Sequence, residues 1–347
     1  MLDSLKLENF TAFATADFEF AAGLNLFVGE NGTGKTHILK AAYSALHVLT
    51  SGAHDSPTKV RLETAIAEKL YGVFRPDELD RLVRRDAGSP QQSEVSCQFS
   101  GTTPPLTFSF GPRDTSRVTV HSAPSAWTFK RAVYLPPREL LSIYPGFVSL
   151  YETTHLPFEE TWRDTCLLLG APLAKGMREP RIAKLLTPLE QAMGGRLELD
   201  KAGRFYLVTG NDATEIHLVA EGFRKLAMLA RLIAAGHLVR QAFLFWDEPE
   251  ANLNPKVIKQ IAPIILHLCS SGVQVFIATH SLFVMRELDI LLHQSPFRPL
   301  KARFFGLHRN GDGVLVRQGG SVDDIGTIDA LQEELSQSER YLETEAR

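Results

Sequence analysis

Eight consecutive residues limit this chain more than any others. Gly29-Glu30-Asn31-Gly32-Thr33-Gly34-Lys35-Thr36 satisfies the phosphate-loop pattern G-x-x-x-x-G-K-[ST] in full. The flanks agree with it, because residues 24–28 read as a short buried strand and residues 37–49 as a helix. Glycines at 29, 32 and 34 let backbone N–H groups close around phosphate oxygens where a Cβ would clash. The helix that starts there points its positive end at the same anion. Gly29, Asn31, Gly32, Thr33, Gly34, Lys35 and Thr36 are therefore the candidate nucleotide contacts. Lys35 is placed to reach the β- and γ-phosphates, and the Thr36 hydroxyl to ligate Mg²⁺. The expected ligands are a nucleotide and Mg²⁺.

Composition narrows the rest. A chain of 347 residues with 44% hydrophobic content can bury a large core, and about two domains are expected. A net charge of −3 and a pI near 6.4 give no global pull on nucleic acid, so any DNA contact needs a local patch. Cys97, Cys166 and Cys269 are scattered, which argues against a disulfide framework or a zinc site. Residues 1–6 show no basic segment leading into an apolar run, and no stretch approaches the roughly 18 apolar residues of a membrane span. The expectation is a soluble, cytoplasmic protein without a membrane partner.

Taken in order, residues 5–10 alternate as an edge or half-buried strand would, and a second strand surrounds residues 16–20. Helices are expected over 60–70 and 76–85, the latter carrying Arg81, Arg84 and Arg85, a solvated face more than a ligand site. Segments 95–99, 106–110, 117–121 and 127–135 look like an antiparallel meander. No heptad run lies between 50 and 220, which excludes a long coiled-coil arm. The segment Tyr134-Leu135-Pro136-Pro137-Arg138-Glu139 runs a strand into a corner. Arg138 and Glu139 are either an active-site loop pair or a helix N-terminus with its usual acid. Residues 150–200 read as broken helices, and 196–199 with 204–208 as a hairpin. Lys175-Gly176-Met177-Arg178-Glu179-Pro180-Arg181 is the best local candidate for a phosphate-backbone or partner surface, set against a plain solvated face.

Ala242-Phe243-Leu244-Phe245-Trp246-Asp247-Glu248-Pro249 is an apolar run ending in two carboxylates, as a buried parallel strand would. Asp247 is placed to hold Mg²⁺ through water, and Glu248 to polarise the attacking water.

The order of these segments resembles the ABC-type ATPase head. It runs from Gly29–Thr36 through Val219-Ala220-Glu221-Gly222-Phe223-Arg224-Lys225 to residues 243–249, then Asn252-Leu253-Asn254-Pro255 and Thr279-His280-Ser281. Leu7-Glu8-Asn9-Phe10, Asp247-Glu248-Pro249-Glu250-Ala251-Asn252-Leu253 and Pro136-Pro137-Arg138-Glu139 look like the RecF/SMC/OLD-like branch, the bacterial "AAA family ATPase". The likeness implies a homodimer with two ATP molecules sandwiched between heads. Each phosphate loop would then face the partner's signature segment, where Ala220 replaces the usual serine and Gly222 keeps a close backbone approach. Arg224 or Lys225 would supply positive charge in place of the lost hydroxyl. By the same resemblance His280 is the switch histidine on the γ-phosphate, and Asn252 belongs to the D-loop. Arg138 and Glu139 stand at the glutamine-loop position, with Glu139 a candidate metal-side ligand.

The expected fold is α/β, a P-loop NTPase with an ABC-ATPase-like head and a mixed insertion. Residues 1–50 and 215–320 are expected to form the nucleotide-binding core and 51–214 an inserted subdomain. The last piece, 321–347, should hold an acidic helix with eight acids from Asp323 onward. The Toprim acidic clusters of some OLD-like chains find no room in it, so if nucleolytic work is done, another chain is expected to do it. The resemblance implies an ATPase that controls an effector such as a nuclease, or acts on DNA, in genome defence or repair. Its rivals are an assembly switch with little turnover and, less well supported, a transporter ATPase subunit.

Overall fold

The computed structural model describes residues 1–51, 58–85, 92–112, 114, 116–124, 131–154, 156–173, 180–238, 242–311 and 313–345. Its centre is a six-stranded sheet, four of whose runs, at 24–29, 132–135, 243–247 and 274–279, are buried throughout. β3 (Leu24–Gly29), β7 (Ala132–Leu135), β11 (Phe243–Asp247), β12 (Gln274–Thr279) and β13 (Ala302–Asn310) are parallel, in the order β13-β3-β12-β11-β7. β14 (Gly313–Gly319) adds an antiparallel edge beside β13. Parallel strands covered on both sides need apolar residues at every position, and here the alternation sorts them by face. Leu26, Leu244, Trp246, Val275 and Ile277 enter one core, and Phe27, Phe245, Phe276 and Phe305 enter the other.

The first core is closed by α4 (Glu160–Leu169), α5 (Pro180–Met193), α6 (Glu221–Ala234), α7 (Pro255–Ser270) and α8 (Leu282–Leu292). The second is closed by α1 (Lys35–Ser51), α2 (Lys59–Phe74) and an antiparallel sheet. That sheet runs β2-β1-β4-β5-β6, from β1 (Leu2–Phe10), β2 (Phe13–Glu19), β4 (Ser93–Phe99), β5 (Leu106–Phe110) and β6 (Thr119–Ser122). A stack of rings, Phe18, Phe20, Phe27, Phe276 and Phe305, joins the two sheets with centroids 4.6–6.3 Å apart. The remaining elements are α3 (Tyr144–Thr153), the small sheet β8 (Arg196–Leu199), β9 (Phe205–Thr209) and β10 (Asp212–Glu215), and α9 (Asp329–Glu345). Among the described residues no helix is long and apolar enough to cross a membrane.

Several expectations need correction. Of the two readings for β1, half-buried holds and edge does not: it is interior, with β2 on one side and β4 on the other. The strands of 93–122 therefore share a sheet with residues 2–19, and 51–214 is not one self-contained insertion. β7 leaves the meander altogether and lies parallel to β11, Trp246 opposite Leu135, while 125–130 fall outside the described residues. The helix expected over 76–85 shrinks to a 3-10 turn at Leu79–Leu82. Backbone pairing overrides the helical pattern there. Thr11 N–H donates to Leu82 O and Arg84 N–H to Asn9 O, which seats Leu79, Leu82 and Val83 in the core. Arg84 Nη1 also donates to Ala12 O at 2.9 Å, and Arg85 pairs with Asp80, so this cluster contacts its own chain. Of the second basic stretch, 174–179 lie outside the described residues.

Candidate functional site

The phosphate loop joins β3 to α1, and its shape is enforced from outside as well as by its own glycines. Gly32 and Gly34 have φ of +79° and +87°, where a side chain would be strained. A Cβ on Gly34 would sit 2.8 Å from the Phe13 ring, and one on Gly29 2.7 Å from Leu307 O. Thr33 Oγ1 donates to Glu30 O at 2.8 Å, and Arg309 Nη2, from β13, donates to Asn31 O at 2.6 Å. Lys35, the first residue of α1, turns back over the loop and donates to Gly29 O at 2.7 Å and Glu30 O at 2.9 Å. Burial lowers its pKa, against the opposing pull of Glu248 and Asp247.

β11 delivers Asp247 directly to this helix. Thr36 Oγ1 lies 2.9 Å from one carboxylate oxygen and 3.1 Å from the other, and the Tyr134 hydroxyl donates at 3.3 Å. Burial pushes the Asp247 carboxyl up to about 6; the Thr36 hydrogen bond opposes that shift and the Glu248 charge adds to it. Glu248 takes a left-handed φ of +46°, and its N–H donates to Ala278 O of β12 at 2.9 Å. Such a conformation in a residue with a Cβ is uncommon and marks a turn held by its surroundings. Glu248 Oε1 lies 3.5 Å from His280 Nδ1, just past the end of β12. The topology thus gathers Lys35, Thr36, Asp247, Glu248 and His280 at the C-terminal ends of three parallel strands. Ligands of open α/β sheets bind at that edge.

The signature side is arranged differently. Ala220 stands at the N-cap of α6 and gives no side-chain hydrogen bond to its first N–H groups, which have no side-chain partner among the described residues. Gly222 does allow a close approach, but to its own chain: a Cβ there would meet Leu253 at 3.0 Å and Asn252 O at 3.1 Å. Lys225, expected to reach outward, is buried and donates to Glu248 O at 2.7 Å and Ala251 O at 3.2 Å. Burial brings its pKa down to about 8, opposed by Glu250 and Glu248. Arg224 pairs with Glu139 at 3.0 Å. Asn252, at φ +62°, donates to Glu221 Oε1 at 2.9 Å. Both expected cations are thus spent within the chain, because helical spacing turns them onto the 248–253 turn and the 139 corner.

Glu139 is also corrected. Its buried carboxylate accepts from Ser142 N–H at 3.2 Å and Ser142 Oγ at 2.6 Å besides pairing with Arg224, so it caps a turn instead of facing a metal. Arg138 is exposed beside it. Sequence reasoning missed Phe13, Tyr134 and Arg309, which act across strands and leave no local signal. It quoted Glu250 only within a family phrase.

A parallel sheet with a phosphate loop, an acid-tipped strand and a histidine-tipped strand defines an ABC-type P-loop ATPase head of the RecF/SMC branch. Across residues 98–286 the chain matches the family described as "AAA domain, putative AbiEii toxin, Type IV TA system", and it belongs to that family. A second AAA-domain profile matches residues 4–67. The DNA double-strand break repair Rad50 ATPase of Methanopyrus kandleri is 32% identical over 71 residues, 20% of this chain and 8% of that one. The DNA replication and repair protein RecF of Streptococcus uberis is 48% identical over 42 residues, 12% of each chain. The chain spans only a small part of these relatives. Among solved structures, an Smc head bound to the C-terminal winged-helix domain of ScpA superposes with a TM-score of 0.58 at 16% identity. That match covers 93% of this chain and 98% of the other. An Smc head with an extended coiled coil, bound to the C-terminal domain of ScpA from Pyrococcus furiosus, gives 0.55 at 14% identity and covers 100% and 99%. These likenesses establish the fold.

Proposed function

We propose that this chain binds and hydrolyses ATP with Mg²⁺ as a homodimer, and that the cycle regulates an effector protein or acts on DNA in bacterial genome defence or repair. One observation carries the reading: the Thr36 hydroxyl meets both oxygens of Asp247 while Glu248 and His280 stand 3.5 Å apart beside them. The hydroxyl and carboxylate are hard oxygen donors that suit Mg²⁺ together with phosphate oxygens. When bound, the ion would neutralise charge developing on the β- and γ-phosphates. Lys35 exchanges the carbonyls of Gly29 and Glu30 for phosphate oxygens. Glu248 polarises the attacking water, and His280 contacts the γ-phosphate. The uncapped start of α6, from Ala220 to Gly222, offers backbone N–H groups to the partner's nucleotide. The SMC, RecF and Rad50 likenesses support a DNA-linked or partner-bound setting.

A second reading, an assembly switch with little turnover, draws on Ala220 and on the inward-turned Arg224 and Lys225, which bring no charge across a dimer. ATP turnover measured together with solution mass, with and without double-stranded DNA, separates the two. Wild type should hydrolyse, while Glu248→Gln should lose about 100-fold or more in turnover and accumulate as an ATP-bound dimer. If neither protein hydrolyses yet both assemble with ATP, the switch reading holds and the ATPase reading falls.

A further inference from the structure

Glu250 lies two residues beyond Glu248 and has no part in the roles above. Its side chain is 9% exposed, against 33% for Glu248, and it is pinned to the end of β12. Oε1 accepts from the Thr279 hydroxyl at 2.6 Å and from the His280 N–H at 3.2 Å. The same oxygen lies 3.5 Å from His280 Nδ1, as does Glu248 Oε1, so one ring nitrogen faces two carboxylates. The other oxygen, Oε2, is buried with no hydrogen-bond partner among the described residues. Burial without a hydrogen bond is costly to such an oxygen, and the neighbouring Lys225 ammonium offsets part of that cost. Lys225, whose ammonium caps Glu248 O and Ala251 O, holds the backbone on both sides of Glu250 and limits where its carboxylate can go.

We propose that Glu250 is the positioning residue of His280. It keeps a proton on Nδ1 and fixes the ring plane, so that Nε2, on the far side of the imidazole, is turned to the γ-phosphate. Which imidazole nitrogen carries the proton is set by the partner of the other nitrogen, and carboxylates commonly perform that task for working histidines. Glu248 does not serve as well, because it is the more exposed carboxylate and its charge is committed to water. Glu250 instead is anchored twice, by the Thr279 hydroxyl and the His280 N–H. This inference rests on the ATPase reading for its catalytic consequence, but not for the ring geometry.

The test uses the full chain with Glu250→Gln, His280→Ala and the double variant. Nitrogen NMR of the His280 ring in nucleotide-free protein is compared between wild type and Glu250→Gln. We expect the Nδ1–H signature in wild type and its loss or mixing in the variant. We expect kcat to fall about tenfold in Glu250→Gln with little change in KM for ATP, and no further fall when Glu250→Gln is added to His280→Ala. An unchanged ring spectrum, or the same fall in kcat in the His280→Ala background, overturns the proposal and leaves Glu250 a cap for β12. A wild type without turnover defeats the ATPase reading while the ring comparison still decides this one. Should Glu250→Gln fail to fold, Thr279→Val releases the same carboxylate without removing its charge and should shift the ring spectrum in the same direction.

Discussion

α1 and α6 are the two helices that would meet a nucleotide from opposite sides of a dimer, and they treat their cations in opposite ways. α1 opens with Lys35, whose ammonium rests on two loop carbonyls it can exchange for phosphate oxygens. α6 turns its cations into the protein along its whole length. Lys225 caps the turn after β11, Arg231 donates to Leu169 O and Ala171 O, and His237, just past the helix, meets Leu168 O and Arg131. The first helix is built to receive an anion in its own subunit. The second is built to hold a bare N-terminus in place, with its charges used as internal struts. On the proposed reading, α6 would meet a nucleotide through backbone N–H groups alone, with its cations bracing the helix from behind.

Three measurements break or sharpen this contrast. The largest effect is expected for Lys225→Met. It removes a buried charge and orphans Glu248 O and Ala251 O, and should cost about 3 kcal/mol in urea unfolding with a parallel loss of turnover. Normal stability with weakened ATP-driven dimerisation would mean that Lys225 faces the partner after all.

A smaller effect comes from His237. Burial, with the neighbouring Arg131 guanidinium, lowers its pKa to about 4 from an ordinary 6.5. The unfolded chain then binds more protons between those values, so the His237 contribution is present above pH 6.5 and lost as pH falls toward 4. The loss should approach about 2 kcal/mol and should vanish in His237→Leu, read as the difference between the two urea-stability profiles. A ring that titrates near 6.5 by NMR would show that this strut is open to water.

The smallest effect is expected for Ala220→Ser. A hydroxyl at the N-cap should add about 0.5–1 kcal/mol of stability to the free protein. If α6 does receive the partner's phosphate, it should also raise turnover several-fold. A gain in stability without any change in turnover would separate the cap from the catalytic interface.

The contrast also shows what a single sequence can disclose. The phosphate loop, the acid-tipped strand at Asp247 and the position of His280 were legible because each is local: a spacing, a run, a strand end. The helix expected over 76–85 was not formed, because its register is decided by pairing with residues 9–11. β7 looked like a meander strand until its neighbour, β11, was known. The inward turn of Lys225 was invisible for the same reason. Its partners are carbonyls 23 and 26 residues away, and nothing in the letters distinguishes a lysine that leaves a helix from one that enters the core.

The strand order has a consequence for how the protein comes into being on the ribosome. Thr36 meets Asp247 across 211 residues of chain, and Asn25 its neighbour strand across 250. Arg309, which clamps the loop at Asn31, is 278 residues away. A nascent chain that has made the phosphate loop still lacks β11, β12 and β13, the strands that hold it. The nucleotide site can close only after β11, β12 and β13 have been made. Long-range closure of this kind slows folding and leaves apolar strands waiting.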